Sequence, residues 1–338
     1  IDSASDGKGI SIDTGGNTSS NSMTFNFSGI DTGGKEGNGV GINHFECSLD
    51  NSNFTLCNSP VHTVKLTDGP HILDIRAQDN VGNISPSPSS FPWTVDTKPP
   101  TTNIDSATDG TNTTVTNGGN TKSTSIAILF SGNDTGVGVG KFECSLDNSN
   151  FTACTSPVES VNLTDGAHIV QIKAQDTVGN TGGIPSSFRW TVDTTAPTTT
   201  IDSATDSHGK KIATNGNSSS NSITLAFSGN DTGVGINHFE CSIDKSNPVT
   251  CTSSTAVNSI TDGKHTISIT AEDNSTNKDL SPSLFNWTVD TTPPTTTINS
   301  VEDVNQSTLS NGASTKSTSV IVAFSGTDAS GVGIERYQ

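Results

Sequence analysis

The sequence predicts an all-β chain, a tandem array of antiparallel β-sandwiches, on three observations. The phrase Phe142-Glu143-Cys144-Ser145-Leu146-Asp147, closed by a second cysteine at Cys154, recurs at 45–57 and 239–251, and the cysteines repeat every 97 residues. So strict a period marks one folding unit copied in tandem. Each unit carries runs of apolar residues at alternate positions, the signature of a half-buried strand. Each also ends on a proline-stiffened joint: Asp96-Thr97-Lys98-Pro99-Pro100, Asp193-Thr194-Thr195-Ala196-Pro197 and Asp290-Thr291-Thr292-Pro293-Pro294, where proline fixes φ and favours an extended connector. The expected organisation is repeats at 1–97, 98–194 and 195–291 and a shorter one at 292–338, with linkers at 98–103, 195–200 and 292–297.

Composition narrows the class. Hydrophobic residues make up 29% of the 338, a low content that would suit a disordered chain. The strict alternation and the paired cysteines argue against that and for thin cores reinforced by staples. Six cysteines in three equally spaced pairs point to disulfides, Cys47–Cys57, Cys144–Cys154 and Cys241–Cys251, and to an oxidising, extracellular setting. Two thiols per unit, with no Cys-x-x-Cys and no histidine pair beside them, make a poor zinc site. The net charge of −18 argues against nucleic acid and for cations as partners. No apolar run approaches the ~20 residues of a membrane-spanning helix. The chain opens on Ile1 without a methionine or leader, which reads as mature or excised material.

Within a unit the first strong strand is Met23, Phe25, Phe27, with counterparts Ile126, Ile128, Phe130, then Ile223, Leu225, Phe227, and Val320, Val322, Phe324. The first unit carries extra residues around Gly33–Asn38, an insertion suited to a loop. A glycine-rich loop leads to the cysteine strand, where Phe142, Cys144 and Leu146 share a face. Turn formers at 147–150 return the chain to Cys154, placing the two cysteines on facing positions of one hairpin. Closing so short a loop contributes roughly 3 kcal/mol in the chain-entropy picture. Asp-Gly turns at Asp68, Asp165 and Asp262 then open strands headed by His71, His168 and His265, whose parity places these histidines at the rim of the core rather than in a ligand set. The last strand holds Trp93, Trp190 or Trp287 on its inward face, as core anchors rather than sugar platforms. About seven antiparallel strands per unit, with no helix, describe an immunoglobulin-like sandwich.

Phe-Glu-Cys-Ser-Leu-Asp…Cys-x-Ser-Pro, Asp-Gly-x-His, Ala-x-Asp-x-x-Gly-Asn and Trp-Thr-Val-Asp-Thr-Thr-x-Pro, in succession, resemble bacterial and archaeal immunoglobulin-like repeats of large extracellular proteins: adhesin stalks, surface-layer proteins and filaments. The resemblance covers every complete unit and the start of the fourth. It is specific for the domain type and not for function, since such modules also decorate secreted enzymes. The third unit departs from the pattern at Asn274-Ser275-Thr276-Asn277 and at Pro248, which stands where the others have Phe.

In such a sandwich the chain leaves at the pole where the next unit begins. Asp96 should therefore approach the loops carrying Asp134, Asp176 and Asn180, and Asp193 those carrying Asp231, Asp273 and Asn277. Carboxylates and an amide oxygen gathered at a joint match the hard-oxygen shell of calcium, and the resemblance implies interdomain calcium that stiffens the array. The competing reading is that these residues cap their own turns. Asn-x-Ser/Thr sequons are dense, and Asn53 and Asn150, at hairpin tips, are the first candidates for glycosylation.

No catalytic constellation emerges: there is no Gly-x-Ser-x-Gly, no His-Glu-x-x-His and no phosphate loop. The chain stops at Gln338, one residue before its next expected cysteine, which reads as a fragment of a longer array or a unit completed by a partner strand. The expected function is a structural spacer in a stalk, surface layer or filament, with three and a half units extending roughly 100 Å. Its partners would be further repeats of a longer chain or other copies of itself. The alternatives are an adhesin whose modules bind glycan or protein, and an accessory segment of a secreted enzyme.

Overall fold

The computed structural model describes residues 1–33, 39–329 and 332–338. All its regular elements are strands. The first repeat holds β1 (Ser3–Asp6), β2 (Asn17–Thr18), β3 (Met23–Asn26), β4 (Ile42–Leu49), β5 (Thr55–Cys57), β6 (Val61–Thr63), β7 (Gly69–Asp79) and β8 (Ser89–Val95). They form a three-stranded sheet, β1-β3-β6, and a five-stranded sheet, β2-β8-β7-β4-β5. The third repeat has the same two sheets in the same order. The chain is thus a succession of two-layer β-sandwiches. The expected loop at 33–38 lies, apart from Gly33, outside the described residues.

By density of contact the chain divides into two compact units. One comprises 1–119 with 123–191 and contains the first two repeats; the other comprises 192–338 with 120–122 and contains the third and the start of the fourth. In that fourth segment the strands Thr295–Asp303 and Val320–Thr327 pair antiparallel as a two-stranded sheet. The strands Thr101–Asp109, Thr198–Asp206 and Thr295–Asp303 each begin inside the expected linker, so only its first three residues are free of the sheet.

One pairing departs from the antiparallel pattern. β2 runs parallel to β8, Asn17 against Thr94 and Thr18 against Val95, and Gly216–Ser218 pairs the same way with Trp287–Val289. The cause is a strand switch: after β1 the chain crosses to the other sheet and meets the last strand running in its own direction.

Alternation puts one side chain in two into the space between the layers. Met23, Phe25, Phe91, Trp93 and Val95 form the first core with Leu73 and Ile75. Phe25 lies 5.1 Å from Trp93, and Phe27 meets Phe45 edge-on at 5.1 Å. The third core repeats this with Leu225, Phe285 and Trp287. The indole N–H groups of Trp93, Trp190 and Trp287 are buried without an acceptor, so packing alone holds the rings.

The three disulfides form, with Sγ–Sγ distances of 2.05, 2.03 and 1.99 Å and Cα separations of 5.8 Å, inside the range for a bridge. The cysteines do not face each other directly, however. Cys144 stands opposite Thr152, and Cys154 opposite Phe142. The bridge is therefore diagonal, because the turn is long enough to offset the register by two residues while sheet twist still brings the diagonal pair together.

The repeated histidine is structural. His168 Nδ1 lies 2.8 Å from Asp147 Oδ2 and Nε2 2.8 Å from the Thr164 carbonyl, and the ring stacks on Trp190 at 5.5 Å. His71 and His265 make the same two contacts with Asp50 and Thr67 and with Asp244 and Thr261. In each case both ring nitrogens face acceptors. In the second repeat, burial opposes the charge, but the bond to Thr164, the bond to Asp147 and the attraction of that carboxylate outweigh it and raise the pKa of His168. The histidine thereby clasps the tip of the disulfide hairpin to the loop before its own strand.

Candidate metal centre

Asp96 ends β8 of the first repeat, and its backbone N–H still belongs to that repeat, donating to Thr18 O at 2.9 Å. Its side chain, 1% exposed, already belongs to the second. Asp96 Oδ2 accepts the Val137 N–H at 3.0 Å, Oδ1 accepts the Lys98 N–H at 3.1 Å, and its carbonyl accepts Asn180 Nδ2 at 2.8 Å. Asp176 Oδ1 accepts the N–H groups of Val178 and Asn180, and its Oδ2 accepts Asn180 Nδ2 at 2.6 Å. Asp134 Oδ2 accepts the N–H groups of Gly136 and Gly138, at 3.1 and 2.7 Å. Its Oδ1 is buried with no partner.

The second unit repeats most of these bonds. Asp193 Oδ2 accepts the Val234 N–H at 2.9 Å, and its carbonyl accepts Asn277 Nδ2 at 2.8 Å. Asp273 Oδ1 caps Ser275 and Asn277, and Asp231 Oδ2 caps Gly233 and Gly235. Asp231 Oδ1 is again buried and unpartnered. One carboxylate oxygen from each of Asp193, Asp231 and Asp273 falls within 4.8 Å of the others. Burial works against ionising Asp193, but the Thr195 hydroxyl, the Val234 N–H and the Thr195 N–H together hold its carboxyl below the usual range. Three carboxylates this close, drawn out of water, repel one another unless a cation joins them.

At each joint the connector aspartate meets the loops that carry the other candidates, through the Val137 N–H and Asn180 for Asp96 and the Val234 N–H and Asn277 for Asp193, with one difference of role. Asn180 and Asn277 turn their Nδ2 groups onto an aspartate carboxylate and a backbone carbonyl, so these amides act as donors that brace the aspartates. Turn capping and convergence coexist: each aspartate caps its loop with one oxygen, and one oxygen per cluster is left over.

Three contributions were not read from the sequence. An added Cβ on Gly136 would stand 2.2 Å from Asp96 Oδ2, and one on Gly233 2.0 Å from Asp193 Oδ2, so only glycine lets the loop reach the carboxylate. The glycine recurs in each Asp-Thr-Gly-Val-Gly segment, a signal the sequence did contain. The third is the set of Asp-Gly turns, expected to be simple turns. Asp68 accepts the Thr97 N–H and hydroxyl, both at 2.8 Å, and Asp262 holds Thr291 in the same way. The Asp-Gly turn lies there because Gly69, the first residue of β7, pairs with Val95, just before the connector. These bonds, the Thr97 N–H foremost for Asp68 and the Thr291 hydroxyl foremost for Asp262, lower both carboxyl pKa values.

Among the described residues a second group of potential ligands is His238, Glu240 and Glu272. Lys278 already sits among them, with Nζ 2.8 Å from Glu240 and 3.3 Å from Glu272. Asn53 and Asn150 are exposed beside their hairpin turns.

The model of the bacterial Ig-like domain (group 3) family matches residues 157–227 and 251–324. These stretches resemble bacterial Ig-like domains. Each match begins at or just after the second cysteine and ends on the counterpart of β3 in the following repeat, so the family unit straddles a joint and contains the connector aspartate, Asp193 or Asp290. Among solved structures, the fibronectin(III)-like modules of Clostridium thermocellum CbhA are similar at 15% identity, over 56% of this chain and 94% of theirs, with a TM-score of 0.34. A Ca2+-stabilized adhesin with which an Antarctic bacterium binds ice shows 15% identity over 83% of this chain and 72% of its own, at a TM-score of 0.30. A 1.5-MDa bacterial ice-binding adhesin shows 14% identity over 80% and 91%, at 0.34. No curated protein matches the chain. No helix among the described residues is long and apolar enough to cross a membrane.

Proposed function

We propose that this chain is a spacer segment of an extracellular surface protein, whose Ig-like repeats are joined through calcium held at the Asp96 and Asp193 clusters. The observation that carries the reading is the connector aspartate. It closes the last strand of one repeat and is hydrogen-bonded by two inter-strand loops of the next sandwich, through Val137 and Asn180 for Asp96. A linker that only tethered two domains would have no need of a buried carboxylate at its first residue.

The donor set fits a hard cation. It is all oxygen, and one buried carboxylate oxygen per cluster has no other use. Asp96, Asp134 and Asp176 would hold one ion, and Asp193, Asp231 and Asp273 the other, each ion supplying the positive charge that lets three carboxylates pack together. Three disulfides support an oxidising location. Partners at either end would be further repeats or further copies, and Asn53 and Asn150 would carry glycans where the host attaches them.

The test is calorimetric. The chain, stripped with chelator, should take up calcium with measurable heat and melt several degrees higher with the ion bound. Asp231→Asn, which keeps an acceptor for Gly233 and Gly235, should abolish the second binding event and leave the first. Absence of heat and of any melting shift on adding millimolar calcium would end the calcium reading.

A further inference from the structure

The outer face of the five-stranded sheet differs between repeats in a way that packing does not require. In the first repeat it is covered. Arg76 Nε donates to Glu46 at 2.7 Å, and the guanidinium lies 4.0 Å above the centre of the Phe54 ring. In the second, Lys173 pairs with Glu143 at 3.0 Å and lies 4.3 Å above Phe151. In the third repeat both halves of this lid are gone: Pro248 stands at the ring position and Thr270 at the cation position. An open groove of about 790 Å³ lies there instead, with Pro248 and Leu284 among its walls.

The groove is also charged differently. Lys245 and Lys264 line it, at positions where the second repeat has Asn148 and Ala167. Its two carboxylates already have partners of their own: Glu240 shares Lys278 with Glu272, and Asp244 Oδ2 lies 2.8 Å from His265 Nδ1. Neither Lys245 nor Lys264 has a carboxylate partner among the described residues. Two ammonium groups without a carboxylate partner in one groove, on a chain of net charge −18, favour an anion. The floor is hydroxylic. The hydroxyls of Ser268 and Thr270 are without an internal hydrogen bond among the described residues, and Thr266 and Ser242 donate to Asn286 and to the Ser246 carbonyl but keep lone pairs free.

We infer that this face of the third repeat is a binding groove for an acidic oligosaccharide, its sugar hydroxyls on the serine and threonine floor and its carboxylates on Lys245 and Lys264. A peptide is the weaker fit. The strands under the groove, Ile236–Ile243 and Gly263–Asp273, are each paired on both sides and offer no edge for strand addition. Only Pro248 and Leu284 could anchor apolar side chains. The inference does not rest on calcium, and its test is run in chelator.

The intact chain is titrated at low ionic strength with a uronic-acid oligomer, an oligogalacturonate, and with its methyl ester. The acid should bind at one site with chemical-shift changes confined to the third repeat, and the ester should bind at least tenfold more weakly. Lys245→Asn with Lys264→Ala, which installs the residues of the second repeat, should weaken binding at least tenfold without moving the melting temperature. Pro248→Phe with Thr270→Lys, which rebuilds the lid, should do the same. Failure of the oligomer to bind, equal binding by the lysine variant, or equal affinity for an octaglutamate peptide would each overturn the assignment.

Discussion

The Asp96 and Asp193 clusters are copies of one design 97 residues apart, and they differ at one instructive position. Two residues after the connector aspartate the first has Lys98 and the second Thr195. Thr195 turns its hydroxyl onto Asp193 Oδ1 at 2.6 Å in addition to donating its N–H. Lys98 donates only its N–H to Asp96, and its ammonium lies 3.4 Å from Asp68. Among the described residues the three carboxylates converge within 4.8 Å in the Asp193 cluster but not in the Asp96 cluster. The connector therefore does more than set the spacing between sandwiches. One of its residues sets whether the connector carboxylate receives a hydroxyl as well as an N–H from the connector.

The severest way to break the comparison is through the glycine that both clusters share. Gly136→Ala and Gly233→Ala each place a methyl group inside the van der Waals shell of the connector carboxylate, about 2 Å from Oδ2. The loop must back away and give up its hydrogen bond from Val137 or Val234. Overpacking of this kind costs about 1–3 kcal/mol, and the two variants should suffer alike because the geometry is alike. Denaturant unfolding of each variant measures the loss, and a change below about 0.5 kcal/mol in either would show that the loop does not need the close approach.

A finer cut exchanges the residue that differs. Thr195→Lys should lower calcium affinity at the Asp193 cluster, and Lys98→Thr should raise it at the Asp96 cluster, each by about tenfold, the size expected of one partly screened charge near the ion. Titration calorimetry of the two single variants reads both changes. If the reciprocal exchanges leave both affinities where they were, the clusters differ for some reason other than Lys98.

Much of this was legible in the sequence, because a strict period and a strict alternation are local signals. Phe142, Cys144 and Leu146 gave the cysteine strand its face, and the position of Asp96 after the last strand gave its approach to the loops of Val137 and Asn180. What escaped depends on neighbours distant in sequence. Asn17–Thr18 is too short and too polar to show any period, so its parallel pairing was invisible. Asp147 reads as a turn residue, and nothing near it announces that His168, 21 residues on, will use it. The need for Gly136 is set by Asp96, 40 residues earlier. The diagonal cysteines follow from a register that spacing alone does not determine.

The smallest predicted effect compares the two ends of the pH scale and keeps cluster and hairpin clasp apart. For Asp193 the folded pKa lies below the model-peptide value of 3.8. Its contribution is present above 3.8 and is lost as pH falls through the lower folded value. For His168 the folded pKa lies above 6.5. Its contribution is complete below 6.5 and is lost as pH rises through the higher folded value, because the neutral ring then turns a lone pair toward Asp147 or Thr164. In chelator, acid should therefore loosen the Asp193 cluster, and mild alkali should open the clasp in the second repeat. Hydrogen exchange of the Asp147 turn, followed from pH 6 to 9 and corrected for intrinsic rates, should show protection falling with pH, and His168→Gln should abolish that slope while the Cys144–Cys154 bridge still holds the hairpin. A slope that persists in the variant would assign the effect to some other group and leave the imidazolium without a structural role.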